Sequence, residues 1–499
     1  MGFPLEHGLR ATLMAMRLAD LADVNAETAR QTYYVSLLTY SGCTTDLVAT
    51  ADLFDGHLTN TLMPNVFGSR SEIIRGVIAT IPGPNDKRWD RTRKIATRFP
   101  KAARSTPEQR RAICEVGEML SRRLGLPEDI NTTFQMLTER WDGKGVLKRA
   151  AGDEVPLSLR IALVAQDAAL QRLFHTDEEA VDILSARGGG AFEPTLVRLL
   201  VENHSELFSA GEPADEAWNR ILELEPKPYL TLEGEAIDAA LAAIGDFSDL
   251  ISPSLTGHSV GVSDLAQRAG RIAGFSDNEV RLLRRAGWVH DVGRVAVHTR
   301  VWEKPEPLSP HEVEQVRLHP YHTERVLVRS QFLGTLAPTA SNHHEHLDSS
   351  GYHRSIGASN LDRTSRVLAV ADIYHAMTEP RPHRDPLPTA TAATLLQEQV
   401  REGHLDSQMV AAVLEAAGQT RSPIELPKGL TQREVEVLGL LARGLQTKQI
   451  ANALGISPKT ADTHIQNGYR KIGVSTRAAA TLFVMETGLV PSGELPIPN

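Results

Sequence analysis

Apolar residues recur three and four positions apart through most of the chain, and almost nowhere do they alternate. In LRATLMAMRLADLA, RAICEVGEMLSRRLGL, SLRIALVAQDAALQRLF and PTLVRLLVEN this spacing puts one apolar stripe on each segment, which predicts amphipathic helices. LGLPEDI and SARGGGAFEPT carry the Gly and Pro expected where helices stop and restart. The pattern predicts an all-α protein. Residues 1–215 read as one helical domain, and 216–245, where EPADEAWNRILELEPKPYLTLEGE mixes Pro, Gly and acids, as a linker region. A second helical domain follows over 246–420, with Val260, Leu265 and Ile272 as a core stripe beside His258. A short linker over 421–429 leads to a last helical segment, 430–499.

The first domain and the central one carry related sequences. Glu139-Arg140-Trp141-Asp142-Gly143 aligns with Glu345-His346-Leu347-Asp348-Ser349, and Arg160 to Gln166 aligns with Arg366 to Asp372 at the same offset. GAFEPTLV parallels GHLDSQMV, and HGLR near the start parallels HSVG at His258. The copies differ where chemistry is concerned. Leu137 and Thr138 stand opposite His343 and His344, Gln166 opposite Asp372, and Tyr40-Ser41 roughly opposite His290-Asp291. The first copy is therefore read as degenerate, used for sensing, pairing or scaffolding.

Composition narrows the class. A length of 499 residues calls for several domains, and 41% hydrophobic with 23% charged residues is that of globular domains. No apolar run approaches the roughly 20 residues that span a bilayer, and the amphipathic start lacks the features of a signal peptide, so a cytoplasmic protein without a membrane partner is expected. With only Cys43 and Cys114, neither a disulfide framework nor a thiolate metal cage is available. Any metal must be held by imidazole and carboxylate. The net charge of −9 argues against wholesale nucleic-acid coating, but from Lys428 onward eight Lys or Arg stand against five acids. The tail is basic in an acidic protein.

The central domain strings His258, His290, Asp291, His319, His343, His344 and Asp372 along helical segments. Leu282, Leu283, Trp288 and Val289 lead into His290-Asp291, and Val367 to Ala371 lead into Asp372. Charged groups at such apolar ends need partners, and metal ions are the fitting ones. VHDVGRVAV, EKPEPLSPHEVEQVRLHP, NHHEHLDSSGYHR and SRVLAVADIYHAMTEPRPHR together resemble the HD-GYP family of metal-dependent phosphohydrolases. The resemblance implies an HD-type helical domain, with the seven residues above as metal ligands and Asp291 as the bridge between two divalent ions. Such a pair lowers the pKa of a shared water so that a phosphodiester can be attacked at neutral pH. Iron or manganese is the family expectation, with zinc and nickel compatible with the donor set. Tyr352, Arg381 and Arg384 fall on substrate-binding positions, and the implied substrate is a cyclic dinucleotide such as cyclic di-GMP or another phosphorylated nucleotide. Three departures stand out. Arg294 replaces the usual Lys after His-Asp-x-Gly, keeping the charge but holding its proton; His353 replaces the Pro of the signature loop; Ser254 replaces a Glu that supports a third metal in some members. Asp291 and Arg294 are the catalytic candidates. The alternative is a catalytically weak HD domain serving as a metal- or nucleotide-sensing module.

LTQREVEVLGLLARGLQTKQIANALGISPKTADTHIQNGYRKIGVSTRAAA resembles the LuxR-type helix-turn-helix. Thr431 with Glu434 makes a capping-box pattern, Gly455 sits in the turn, and Ser457 caps a helix that ends basic. The resemblance implies a four-helix module on double-stranded DNA, bound as a homodimer. Asp462, Thr463 and Gln466 would face base edges, and Lys448, Lys459, Thr460 and Lys471 would lie near phosphates. Together the two resemblances imply a transcriptional regulator with a phosphodiesterase-type centre.

Overall fold

The computed structural model describes residues 6–41, 54, 62–83, 86–209, 214–418 and 427–486. Among the described residues every regular element is helical, and extended pairing is confined to two isolated bridges, Gly188 with Phe192 and Arg381 with Arg384. The chain divides into two units, Met1–Leu232 and Glu233–Asn499.

In the first unit, α1 (His7–Leu21), α2 (Ala26–Leu38) and α3 (Leu157–Gln171) pack against one another. Asn25 starts α2 by accepting a hydrogen bond from the Thr28 amide at 2.8 Å, satisfying a donor that the first turn leaves open. Ala11, Leu18, Val35, Ile161 and Val164 are wholly buried between the three. A further helix, α4 (Ala214–Glu223), seats Ala217 and Ile221 against Leu13, Met16 and Tyr33, and Tyr33 Oη donates to the Ile221 carbonyl at 3.0 Å. The stretch expected as a linker therefore begins inside the first unit, because its apolar residues find a face of α1 to cover.

The same stretch ends inside the second unit. There α5 (Glu235–Asp249), α6 (His258–Ile272) and α7 (Asp277–Val289) pack together, and α10 (Arg363–Thr378) closes the core over α6, with α8 (His319–Leu327) and α9 (Ala337–Ser341) between them in sequence. Helices α6, α7 and α10 repeat the mutual packing of α1, α2 and α3, which is what the aligned sequences predict. Ser276 with Glu279 forms a capping box at the start of α7, and Asp362 caps α10. Next come α11 (Thr389–Arg401) and α12 (Ser407–Ala417), the latter against α6. Most of the expected linker before the last segment lies outside the described residues.

The last four helices, α13 (Gln432–Ala442), α14 (Thr447–Leu454), α15 (Pro458–Ile472) and α16 (Arg477–Glu486), follow the expected caps. Thr431 and Glu434 form a capping box, Gly455 ends α14 with φ 62°, and Ser457 accepts from the Thr460 amide. α16 packs on α13 and also on α5. Thr256 Oγ1 donates to the Ala442 carbonyl at 3.0 Å. The helix-turn-helix and the central domain thus share one unit.

Candidate metal centre and DNA-reading helix

Each of the seven expected ligands stands at the end of a helix or faces inward from one. His258 opens α6 after the left-handed Gly257 (φ 78°). His290 ends α7, and Asp291 follows it. His319 opens α8, His343 and His344 follow α9, and Asp372 points inward from α10. Gly293 permits the convergence. A Cβ there would lie 2.1 Å from the His319 carbonyl oxygen and 2.4 Å from the Thr323 amide nitrogen. Thr323 locks the approach, donating to the His290 carbonyl at 2.8 Å and accepting from the Gly293 amide at 3.0 Å.

The donor atoms form two groups that Asp291 joins. Its Oδ2 lies 2.9 Å from His290 Nε2 and 3.3 Å from His258 Nε2, whereas its Oδ1 lies 3.1 Å from His319 Nε2 and 3.4 Å from His343 Nε2. Asp372 Oδ1 sits 3.0 Å from His258 Nε2, and its Oδ2 sits 3.9 Å from His344 Nδ1. The opposite ring nitrogens settle the tautomers. Nδ1 of His290, His319 and His343 donates to the carbonyls of Gly287, Val316 and Ala340 at 2.8, 2.6 and 2.6 Å. Their Nε2 lone pairs therefore face carboxylate oxygens, acceptor against acceptor. Among the described residues His290 Nε2, both Asp291 oxygens and Asp372 Oδ1 are buried without a well-aligned hydrogen bond, a cost that a metal ion between them, beside the Arg294 guanidinium, would remove. The donor set fits divalent metal ions.

The electrostatics agree. At His290 burial lowers the pKa, but the Asp291 and Asp372 carboxylates outweigh it and raise it to about 9, so that without a metal ion a proton on Nε2 takes the cation's place. At Asp291 burial raises the pKa, while Arg294 and His290 carry it well below the usual carboxylate range. His319 is pushed down to about 4, first by burial. The centre is built to hold positive charge against fixed anions.

Arg294 is buried, with Nη2 2.5 Å from Asp291 Oδ2 and 3.4 Å from His258 Nε2, and its guanidinium lies over the Trp302 ring at 5.3 Å. Its Nε and Nη1 have no protein partner. Tyr352 stacks on His344 with ring centroids 4.7 Å apart, and Arg317 lies over the Tyr352 ring at 5.3 Å. Arg381 and Arg384 both have partners within the protein. Arg384 donates to the Ala376 and Met377 carbonyls, capping the end of α10, and Arg381 pairs with Glu379.

Glu379 is the residue that sequence reasoning missed. It is buried, and its Oε1 lies 2.9 Å from His258 Nδ1, supplying behind that imidazole what backbone carbonyls supply behind the other three. Its Oε2 lies 2.9 Å from His375 Nδ1. The available signal was spacing: Glu379 follows Asp372 by seven positions, two helical turns, so both lie on one side of α10 and its extension.

The first copy shows the replacement chemistry. His7, where His258 would be, has its Nε2 2.8 Å from Tyr40 Oη, and Leu137 and Gln166 are buried. Its buried Asp167 pairs with Arg187 at 2.5 Å.

On the helix-turn-helix, Lys448, Lys459, Thr460, Asp462, Thr463 and Gln466 are all exposed, and Ala461, Ile465 and Tyr469 turn inward. Lys471 is engaged within the module. It donates to Glu434 Oε2 at 2.6 Å and to the Gly429 carbonyl at 3.0 Å, tying α15 to α13.

Residues 246–409 match the family described as HD domain, and residues 428–484 match the bacterial regulatory proteins of the luxR family. A 3'3'-cGAMP-specific phosphodiesterase of Vibrio cholerae is 28% identical over 424 residues, covering 83% of this chain and 91% of that one. A cyclic di-GMP phosphodiesterase of Pseudomonas aeruginosa is 32% identical over 162 residues, 32% of this chain and 39% of that one. The Escherichia coli nitrate/nitrite response regulator NarP is 52% identical over 60 residues, 12% of this chain and 28% of that one. A crystal structure of a V. cholerae cyclic GMP-AMP specific phosphodiesterase shares the fold with a TM-score of 0.57 at 24% identity, over 84% of this chain and 94% of that one. The chain thus joins a domain of the HD family to a luxR-type helix-turn-helix.

Proposed function

We propose that the chain is a transcriptional regulator of the cytoplasm that hydrolyses a cyclic dinucleotide at the His258 to Asp372 centre and binds DNA, as a homodimer, through α15. The observation that carries the enzymatic half is Asp291, which offers one oxygen to each of two imidazole groups. His258, His290, Asp291 and Asp372 would hold one divalent ion, and His319, His343 and His344 with Asp291 a second, iron or manganese being the expected metals. Such ions supply Lewis-acid polarisation of the phosphoryl group and a nucleophile from water at neutral pH. The chain's own groups supply the rest. Arg294 holds a buried positive charge beside the bridging carboxylate, and Tyr352 stacks on His344 at the edge of the centre. The test is turnover of cyclic GMP-AMP and cyclic di-GMP by the manganese-loaded chain, beside Asp291→Ala. No hydrolysis above that of the variant sinks the reading.

A second reading, a sensing module with little turnover, is favoured by one contact. The Arg294 guanidinium already sits on the bridging carboxylate at 2.5 Å, a fixed cation competing with a mobile one. Tight dinucleotide binding without product would select this reading.

DNA binding rests on the exposed polar face of α15. Thr460 and Thr463 on it make local bonds, to Ser457 Oγ at 2.8 Å and to the Lys459 carbonyl at 2.9 Å, while Lys471 is held by Glu434 and would have to be released to reach a phosphate.

A further inference from the structure

His346, Asp348 and His404 share no residue with the centre described above, yet their donor atoms lie within 4.8 Å of one another. Hydrogen bonds around them fix which atoms are acceptors. Asp348 Oδ1 accepts from the Ser350 amide at 3.0 Å and from Ser350 Oγ at 2.7 Å. Having donated its proton there, Ser350 Oγ can only accept from His346 Nδ1, 2.8 Å away. That leaves His346 Nε2 as a lone pair. Gln399 Nε2 donates to Glu402 at 3.2 Å, so Gln399 Oε1 is the atom that meets His404 Nδ1 at 2.8 Å. An amide oxygen only accepts, so His404 Nδ1 carries a proton. His404 Nε2 lies 3.5 Å from Asp348 Oδ2. The two imidazoles stack with centroids 4.9 Å apart and planes 17° apart, which sets their outer nitrogens side by side.

The first copy shows what this arrangement lacks. There the Trp141 amide donates to the Ala191 carbonyl at 3.0 Å, as Leu347 does to His404 at 2.9 Å, and the Lys144 amide donates to Asp142 at 3.0 Å, as Ser350 does to Asp348. The backbone frame is the same. In that copy Arg140 grips Asp142 with two nitrogens, at 3.0 and 3.3 Å, and Ala191 stands where His404 would be. A covalently attached cation satisfies the carboxylate. In the second copy the cation is gone and two imidazole lone pairs have taken its place.

We propose that His346, Asp348 and His404 bind a divalent transition metal of the zinc class, tying the Gly351-Tyr352 loop to the turn before α12. Two imidazole nitrogens and one carboxylate oxygen suit zinc, nickel or copper better than magnesium or calcium, and each ring has the outer partner that orients a ligating histidine. The site is half-exposed, so water completes the coordination.

The experiment is equilibrium dialysis of the full-length chain against zinc, with bound metal counted by mass spectrometry. Wild type, the double variant His346→Asn with His404→Gln, Asp348→Asn, and the double variant His290→Asn with Asp291→Asn are compared, each checked for helical circular dichroism. The His346/His404 variant should hold one zinc fewer than wild type, Asp348→Asn should bind that zinc at least about tenfold more weakly, and the His290/Asp291 variant should keep it. Equal zinc counts in wild type, the His346/His404 variant and Asp348→Asn would overturn the site and mean that a proton on His404 satisfies Asp348. Because Asp348→Asn keeps both rings, it decides the matter even if the double variant fails to fold.

Discussion

Glu379→Gln separates the charge behind His258 from its volume. The glutamine fills the same buried space but presents no anion to His258 Nδ1, which Glu379 Oε1 now faces at 2.9 Å. Removing the outer partner of a ligating histidine costs about 10–100-fold in ion affinity, or about 1.4–2.8 kcal/mol at about 1.4 per decade. Two features place the expectation in the upper half. Glu379 is only 8% exposed, so water does not replace it, and its charge also faces His375 and Arg381, which the substitution leaves as uncompensated donors. The expected loss is therefore about 30-fold or more. The assay is competition for manganese between the full-length chain and a chromophoric chelator, with His375→Gln as a control that keeps the carboxylate beside His258. An affinity within twofold of wild type for Glu379→Gln would show that His258 needs no anionic support and that the reasoning is wrong.

Gly293→Ala should destabilise the second unit by at least about 3 kcal/mol, since the new Cβ meets backbone atoms of α8 and no flexible side chain; denaturant unfolding and ion counting read it, and a wild-type midpoint refutes it. The buried His7 imidazole is held down to about 4, by burial and then by Arg10. The unfolded chain therefore binds the extra proton between about pH 6.5 and 4, and stability should fall as pH drops through that window, by up to about 3 kcal/mol in all; His7→Gln should flatten that slope, and an unchanged slope would remove His7 as its source. Lys459→Ala should weaken binding to all DNA sequences and lower the salt slope by about one, whereas Gln466→Ala should narrow the gap between operator and random DNA; interchange of these two outcomes in fluorescence anisotropy would reverse the assigned roles.

The helices and the order of the candidate ligands were legible because both depend on local spacing: His258, His290, Asp291, His319 and His343 sit at helix ends, and Asp372 inside α10, in segments that apolar stripes announce. What was not legible depends on packing across the core. The division at residue 232 comes from α4 and α5 covering apolar faces of different units, although their sequence reads as Pro- and acid-rich connection. In sequence Glu379 carries no signal of its own, Arg384 falls on a substrate-binding position and Lys471 on a phosphate-facing one. Their partners, His258 Nδ1, the carbonyl end of α10 and Glu434, are set by tertiary approach. The pairing of His346 with His404 was invisible for the same reason, 58 positions separating them.

Thr256 Oγ1 reaches the Ala442 carbonyl two positions before His258, so the end of α13 and the first metal-facing imidazole hang from one short stretch of backbone. Coupling through such a joint is symmetrical in free energy. Whatever preference a nucleotide at the centre imposes on the seat of the helix-turn-helix, DNA imposes on the centre when it moves that seat. If the proposed function holds, DNA that shifted that seat would change nucleotide affinity at the centre by the same factor by which the nucleotide changes affinity for DNA.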